Sequence, residues 1–298
     1  MDAETERNGA ARVPWGSVLC VVLASVCFST GGLFVKLIPW SPLAINGFRN
    51  LIGACVTGAY LLITRHRLRF NREVLLGAVS MMGVTTLFTV ANKLTTAANT
   101  VVLQFTAPVF VILLMALRYR VRPKRVELVT CASVLLGILV VFADGIRAGN
   151  LAGDLAALAS GFCYAGVFMM NMGKDADAYS STLIGQLAAA ALFTPLCLRE
   201  TDFSPAVLTS AAALGLVQVG AAYVLFSTGI RRTPPVTASL ISGLEPVLSP
   251  LWVALFYGEQ VTPVAVAGAV IVVGSVLAYN LWMARAAARS ADEAGPRA

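Results

Sequence analysis

Two ionisable side chains, Arg49 and Glu245, lie inside long apolar stretches of this 298-residue chain. A guanidinium can hold a carboxylate through two parallel hydrogen bonds, and a carboxylate can receive an ammonium group or bind a proton. Together the two residues could recognise a small zwitterion, provided that the fold brings them to one place. A structural alternative stays open, because Arg49 could instead pair with an acid or with backbone carbonyls to fix its own helix.

Uncharged polar residues recur in the same stretches at helical spacing. Thr85 and Thr89 share one helical face, and Tyr223 and Ser227 repeat that spacing in the second half. Polar groups are costly in lipid, so such faces indicate a cavity or hydrogen bonds between helices. For each residue alone, a bond to its own backbone is the alternative. Further candidates for a cavity wall are Gln104, Tyr164, Gln218 and, on one stripe, Ser239 and Ser242.

Ten apolar runs must position these side chains, each about long enough to cross a ~30 Å hydrocarbon core. The predicted spans are 15–38, 42–63, 74–94, 97–117, 126–143, 154–172, 179–198, 206–229, 235–256 and 263–284. With 58% hydrophobic and 12% charged residues, the chain cannot cover a water-facing surface. The sequence therefore predicts an all-α integral membrane protein with ten transmembrane helices.

The two halves of the chain carry one apolar pattern, P-V-x-x-x-L-x-x-A-L-x-Y, at residues 108–119 and again at 246–257. The same offset aligns Ala107 with Glu245, so the carboxylate belongs to one half only. Because each half has five spans, the second half must enter the membrane upside down, as an inverted repeat. The predicted parts are an N-terminal segment (1–14), a first repeat (15–147), a second repeat (148–284) and a disordered tail (285–298).

Basic residues favour one side of this predicted topology. With the N-terminus inside, 17 of the 22 Lys and Arg residues fall in cytoplasmic segments and four in external ones, and Arg49 lies within a span. This bias places both termini in the cytoplasm. The net charge of +7 is thus a topology signal rather than a surface for nucleic acid. The single His66 is predicted to be a solvated residue of a basic loop.

Prolines occupy mirrored positions near the middle of the fourth and ninth spans, at Pro108 and Pro246. A proline inside a helix removes a backbone hydrogen bond and kinks the helix. The pair is predicted to form a hinge, with a fixed bend needed for packing as the alternative.

Several segments together resemble one family. They are a small-residue first span ending at Lys36, Phe48-Arg49, LQFTAPVF (103–110), SGLEPVLSPLWVALFYGEQVTP (242–263) and GAVIVVGSVLAY (268–279). The chain resembles the EamA type of the drug/metabolite transporter superfamily over about residues 15–284. Within that superfamily it looks closest to YddG-type exporters of aromatic and other amino acids.

This resemblance implies a secondary transporter of the bacterial inner membrane that exports small organic metabolites, above all amino acids including aromatic ones. Transport would pass through a central cavity by alternating access, without cofactor, metal or covalent chemistry, so an enzyme is not expected. The sequence agrees, because it lacks a GxxxxGK[ST] motif and its single His excludes HExxH.

Two alternatives stay open at this point. One is a carrier of drug-like, phosphorylated or nucleotide metabolites within the same superfamily, although a doubly anionic substrate would need more deep cations than Arg49. The other, more remote, is an integral-membrane enzyme, for which the acidic residues are too scattered.

Overall fold

Helices form all the regular structure of the described residues, which are 15–119, 124–147, 150–171, 175–230, 233 and 241–293 of a computed structural model, and no strand occurs among them. The α-helices are α1 (Trp15–Ser29), α2 (Gly31–Leu37), α3 (Pro42–Ile63), α4 (Arg72–Leu94), α5 (Ala97–Gln104), α6 (Ala107–Tyr119), α7 (Arg125–Arg147), α8 (Leu151–Asn171), α9 (Ala178–Phe193), α10 (Pro205–Ala213), α11 (Ala222–Ile230), α12 (Glu245–Tyr257) and α13 (Pro263–Glu293). A 3-10 helix (Thr194–Arg199) extends α9, and a π-helix (Leu214–Ala221) joins α10 to α11. The predicted segment 1–14 lies outside the described residues.

Seven helical stretches among the described residues are long and apolar enough to cross a membrane. They are Trp15–Leu37, Arg72–Leu94, Ala97–Leu117, Leu151–Phe168, Ala178–Arg199, Pro205–Gly229 and Pro263–Trp282. Helix α3 coincides with the second predicted span but carries Asn46, Arg49 and Asn50, which lower its hydropathy. Residues 235–240 of the ninth predicted span lie outside the described residues. The multi-pass helical class is thus confirmed, and the count of ten stays a prediction.

The last helix is longer than predicted. Helix α13 runs from Pro263 to Glu293, whereas the tail from residue 285 onward was predicted to be disordered. The extension is rich in Ala and Arg, which have high helix propensity, so the helix continues beyond its apolar part. Residues 294–298 lie outside the described residues.

Two of the predicted spans are broken helices. Phe105 and Thr106 separate α5 from α6, and Thr30 separates α1 from α2. Pro108 is the second residue of α6, and Pro246 is the second residue of α12. A proline costs little in the first turn, because the N–H that it lacks would have no helical partner there. The prolines therefore begin helices rather than kink them in the middle, which corrects the predicted geometry, and a hinge stays a prediction.

Glycines allow the central helices to approach one another closely. A Cβ added to Gly185 of α9 would lie 2.8 Å from the carbonyl oxygen of Ala78 in α4. A Cβ added to Gly153 of α8 would lie 2.7 Å from the backbone of Leu94 at the end of α4. These contacts leave no room for a side chain, as is common where small residues pack helices together in lipid. Helix α4 is therefore held between α8 and α9.

Two ion pairs between described residues connect helix ends. Lys36 lies 3.0 Å from Glu259, whose other oxygen accepts a hydrogen bond from the backbone N–H of Ala97 at the start of α5. His66 lies 2.8 Å from Asp177, so the prediction of a solvated His66 was wrong. Burial raises the pKa of the Asp177 carboxyl. Hydrogen bonds with His66 and Ser180 together lower it by more than burial raises it, so the pKa lies below its usual value. These contacts fix connections that a hydropathy pattern cannot place.

Candidate substrate cavity

One cavity lies between helices from both halves of the chain. It encloses about 410 Å³ of empty space, its open mouth included. Its wall consists of Phe28, Arg49, Val84, Thr85, Phe88, Gln104, Tyr164, Gln218, Tyr223 and Glu245. The structure therefore brings together seven of the ten described residues that were predicted to bind substrate.

Arg49 is almost completely buried, with 1% of its surface exposed. Its Nε donates to Asn46 Oδ1 at 3.3 Å, one terminal nitrogen donates to Gln218 Oε1 at 3.1 Å, and the other donates to the carbonyl oxygen of Thr85 at 2.6 Å. The guanidinium carbon also lies 5.8 Å from the centre of the Phe88 ring. No carboxylate of a described residue lies within 4.0 Å of it. Neutral groups thus hold this charge in place.

Gln218 is supplied by the π-helix, and its side chain fits against Gly31 at the start of α2. A Cβ on Gly31 would lie 3.0 Å from Gln218 Nε2 and 3.1 Å from its Cδ. Because π-helical turns are rare and concentrate at functional sites, this element marks the region independently of its polar residues. No sequence signal predicted it.

Glu245 is the first residue of α12 and lies half-buried on the cavity wall. Among the described residues its carboxylate has no hydrogen-bond partner and no ion-pair partner within 4.0 Å. A carboxylate in a confined space is costly without a compensating group. The cavity therefore offers an acceptor that an ammonium group or a proton would satisfy.

Aromatic rings form the apolar part of the wall. Phe28 packs edge-on against Tyr223, with ring centres 4.9 Å apart, and also against Phe226. Tyr164 packs against Phe168 on α8 at 4.8 Å. These contacts hold Phe28, Tyr164 and Tyr223 in fixed orientations around the space between Arg49 and Glu245. Such a surface can accept an apolar side chain of a ligand.

Gln104 links the wall to the helix behind it. Its amide nitrogen donates to Ser160 Oγ at 2.7 Å, and Ser160 in turn donates to the carbonyl oxygen of Val84 at 3.2 Å. The amide nitrogen is thus engaged within the protein. Gln104 lies at the end of α5, next to the break before Pro108.

Three predicted wall residues lie elsewhere. Thr89 is fully buried and donates to the carbonyl oxygen of Thr85 at 2.8 Å, which is the backbone bond weighed as its alternative. Ser227 is buried, and Ser242 is a helical residue three positions before Glu245; neither is among the residues that line the cavity. Ser239, on the same predicted stripe, lies outside the described residues.

Four residues of this site were not predicted from the sequence. Phe28, Val84 and Phe88 belong to the wall, and Asn46 anchors Arg49. Apolar residues carry no signal in a sequence that is apolar throughout. Asn46, however, lies three residues before Arg49, and i to i+3 side chains meet on a helix, so this pair could have been found.

The fold and the cavity define a class: a multi-pass helical membrane protein with a polar cavity inside it, the arrangement of a transporter. The EamA-like transporter family matches residues 15–143 and, a second time, residues 151–281. The chain therefore belongs to the EamA-like transporter family. At this coarse level it is a membrane transporter and not an enzyme.

Individual relatives agree with this family. The uncharacterized transporter YwfM of Bacillus subtilis (strain 168) is 31% identical over 258 residues, which are 82% of this chain and 87% of YwfM. The threonine/homoserine exporter RhtA of Escherichia coli (strain K12) is 27% identical over 223 residues, which are 72% of this chain and 73% of RhtA. One solved crystal structure, at 22% identity and a TM-score of 0.61, covers 90% of this chain and 97% of its own, and so shares the fold.

Proposed function

We propose that this protein is a secondary transporter that exports amino acids from the bacterial cytoplasm across the inner membrane, through the cavity between its two halves. Membership of the EamA-like transporter family supports a carrier of small metabolites. The similarity to threonine/homoserine exporters supports amino acids among the possible metabolites. The bacterial relatives support a location in the inner membrane.

The observation that carries the substrate class is the presence of Arg49 and Glu245 on one cavity without an ion pair between them. Two opposite charges that face one space and do not neutralise each other match a ligand that carries both charges. In this proposal the α-carboxylate of the substrate binds Arg49, and its ammonium group binds Glu245. The variable side chain then lies against Phe28, Phe88 and Tyr223.

The aromatic part of the wall supports a broad substrate range that includes aromatic amino acids, as the resemblance to YddG-type exporters implies. Rings stack against other rings favourably, and an apolar surface discriminates only weakly between side chains of similar size. Threonine and homoserine would fit the same wall, because their short side chains leave its rings unaffected. In this proposal the protein selects its substrates by their ammonium and carboxylate groups rather than by their side chains.

We further propose that the chain is an inverted repeat of residues 15–147 and 148–284, with both termini in the cytoplasm, which works by alternating access. Two separate family matches, over 15–143 and 151–281, support the division. The helix starts at Pro108 and Pro246 support equivalent positions in the two halves. In this scheme the two helix starts move with respect to each other during transport.

One observation favours a second candidate. Because Glu245 has no described partner while Arg49 has three, the cavity would also accept a cation without a carboxylate. A carrier of drug-like organic cations is therefore the alternative. It differs from the first proposal in one respect: a free carboxylate on the ligand would bring no gain in affinity.

Counterflow in proteoliposomes tests the proposal. Vesicles that contain the purified protein are loaded with unlabelled amino acid, and uptake of the labelled compound is followed for a panel of amino acids and organic cations. We expect saturable uptake of amino acids that depends on the internal load. Saturable exchange of cations alone would establish the second candidate, and no exchange of either class would overturn both.

A further inference from the structure

Arg49 is a buried cation whose described partners are all neutral and come from three elements. Asn46 belongs to its own helix, the Thr85 carbonyl belongs to α4, and Gln218 belongs to the π-helix. A buried charge without a counter-charge is costly unless its donors are satisfied. The three acceptors reduce this cost without cancelling the charge. The positive charge consequently remains available to a ligand.

The remaining donors of Arg49 match the requirement of a carboxylate. A guanidinium has five N–H groups. The described contacts use one on Nε and one on each terminal nitrogen, which leaves one N–H on each terminal nitrogen. A two-point contact with a carboxylate needs two such donors side by side. The orientation of the guanidinium about its own axis then decides whether both of them reach the cavity.

Close packing between the π-helix and α3 fixes the backbone that carries Gln218. The π-helix lies directly against α3: a Cβ on Gly215 would come 2.6 Å from Ile52 Cβ, and one on Gly220 would come 2.8 Å from Val56 Cβ. On the facing side, a Cβ on Gly53 would come 2.4 Å from Val219 Cγ1. Gly53 follows Arg49 by one helical turn. Packing of these glycines against side chains of the facing helix therefore sets the separation of Arg49 and Gln218.

The π-helix and Gly31 complete this arrangement. A π-helical turn is wider than an α-helical turn, so it rotates the residues that it carries out of the α-helical register. Here Gln218 points towards Arg49. Its side chain occupies the space that a side chain on Gly31 would need. Gln218 is 7% exposed and lines the cavity together with Arg49, so their hydrogen bond lies at the cavity wall.

We propose that Gln218 is a positioning residue, which holds the guanidinium of Arg49 so that its two free donors grip the carboxylate of the substrate. This inference rests on the proposed amino-acid transport and refines it, because it makes the free carboxylate a required part of the substrate. Gln218 has to be neutral for this role. A carboxylate at the same place would pair with Arg49 and compete with the substrate.

Two substitutions separate this role from a merely structural one. Gln218→Leu removes the acceptor, so the affinity for an amino acid should fall about tenfold while the affinity for its methyl ester changes little. Gln218→Glu supplies a stronger partner for Arg49. A structural role predicts normal transport by this variant, whereas positioning predicts at least a tenfold loss of amino-acid affinity and an unchanged affinity for the ester.

The experiment measures the inhibition of amino-acid counterflow by one amino acid and by its methyl ester, for wild type and both variants. Thr57→Val is the control, because Thr57 is buried on α3, the helix of Arg49, and its hydroxyl has no hydrogen-bond partner among the described residues. If the Gln218 variants do not fold, Gly31→Ala tests the same point, because its added methyl group pushes against Gln218. It should reduce the preference for the acid over the ester severalfold.

Three outcomes are possible. A reduced preference for the acid in the variants, with the control at the wild-type value, supports the inference. An acid-to-ester ratio equal to the wild-type value in every folded variant overturns the inference and leaves amino-acid transport standing. An absence of saturable amino-acid counterflow in wild type overturns the proposed function itself, and the inference with it.

Discussion

Helices α6 and α12 begin in the same way but differ in the residue before the shared proline. Each has 13 residues and a proline in the second position. The first residue of α6 is Ala107, which is 2% exposed, whereas the first residue of α12 is Glu245, which lies on the cavity wall. The same kind of helix start thus occurs twice, and only the start of α12 carries a charged residue. The residue before the proline can therefore differ while the proline and the length of the helix stay the same.

The surroundings of the two positions explain why they are not interchangeable. The break before α6 is closed by α8, where a Cβ on Gly161 would lie 3.0 Å from the carbonyl oxygen of Gln104. Ala107 is not among the residues that line the described cavity. Glu245 instead faces the cavity, across from an arginine that neutral groups hold. A charged side chain therefore occurs at the helix start that lines the cavity, and a small apolar one at the helix start that is closely packed.

The largest effect is expected from Ala107→Glu, which would make the two helix starts alike. A carboxylate at a position that is 2% exposed has no partner and no water, so the free energy of unfolding should fall by roughly 3 kcal/mol or more. Glu245→Ala is the matched variant and should cost less than about 1 kcal/mol, because it removes no described hydrogen bond. Thermal unfolding in detergent measures both. Equal losses would break the comparison.

Next in size is the effect of Glu245→Gln on transport. Replacing the carboxylate with an amide removes the counter-charge for the substrate ammonium, and the apparent kcat/KM for amino-acid counterflow should fall at least about tenfold. Glu73→Gln, in the first turn of α4 and outside the cavity, controls for loss of a carboxylate. Wild-type transport by well-folded Glu245→Gln would remove Glu245 from the mechanism.

A smaller effect is expected from Pro108→Ala and Pro246→Ala. First-turn prolines make few contacts that alanine lacks, so stability should change by about 1 kcal/mol or less. If the two helix starts form the predicted hinge, each variant should slow counterflow severalfold at saturating substrate without changing half-saturation. Rates within twofold of wild type for both variants would leave the prolines a packing role only.

The smallest effect concerns the pH dependence of stability that the partners of Asp177 create. The folded state lowers the pKa of Asp177, so the unfolded state binds more protons near its ordinary pKa of about 3.9. The contribution of Asp177 to stability is therefore complete above that pH and is lost as the pH falls through the lower, folded pKa. The midpoint temperature of thermal unfolding should therefore fall less on acidification for Asp177→Asn than for wild type. Identical declines would show that Asp177 contributes nothing.

Much of the fold could be predicted from hydropathy, because apolar runs of this length have few alternatives in a membrane. The prediction for α3 matched both ends, residues 42 and 63. Helix ends outside lipid were less predictable, as Glu293 shows, since propensity rather than apolarity extends that helix. The His66 contact with Asp177 joins residues 111 positions apart, and no local pattern contains it.

The candidate site divides in the same manner. Arg49, Glu245 and Gln218 could be chosen from the sequence because polar groups in apolar runs stand out. Their roles could not be predicted, because each role depends on which residues the side chain contacts. Gln218, for example, contacts Arg49, which lies 169 positions away in the sequence. The π-helix and the rings of Phe28 and Phe88 gave no signal, since their residues are ordinary for a membrane span.

The most direct test of the central claim is competition against labelled threonine in counterflow, with wild type and Glu245→Gln side by side. The competitors are threonine, its methyl ester, and a decarboxylated amine of the same side chain. We predict that wild type binds threonine most tightly, and that Glu245→Gln weakens all three compounds, because each carries an ammonium group. An unchanged order and unchanged affinities in the variant would contradict the claim that Glu245 and Arg49 together recognise an amino acid.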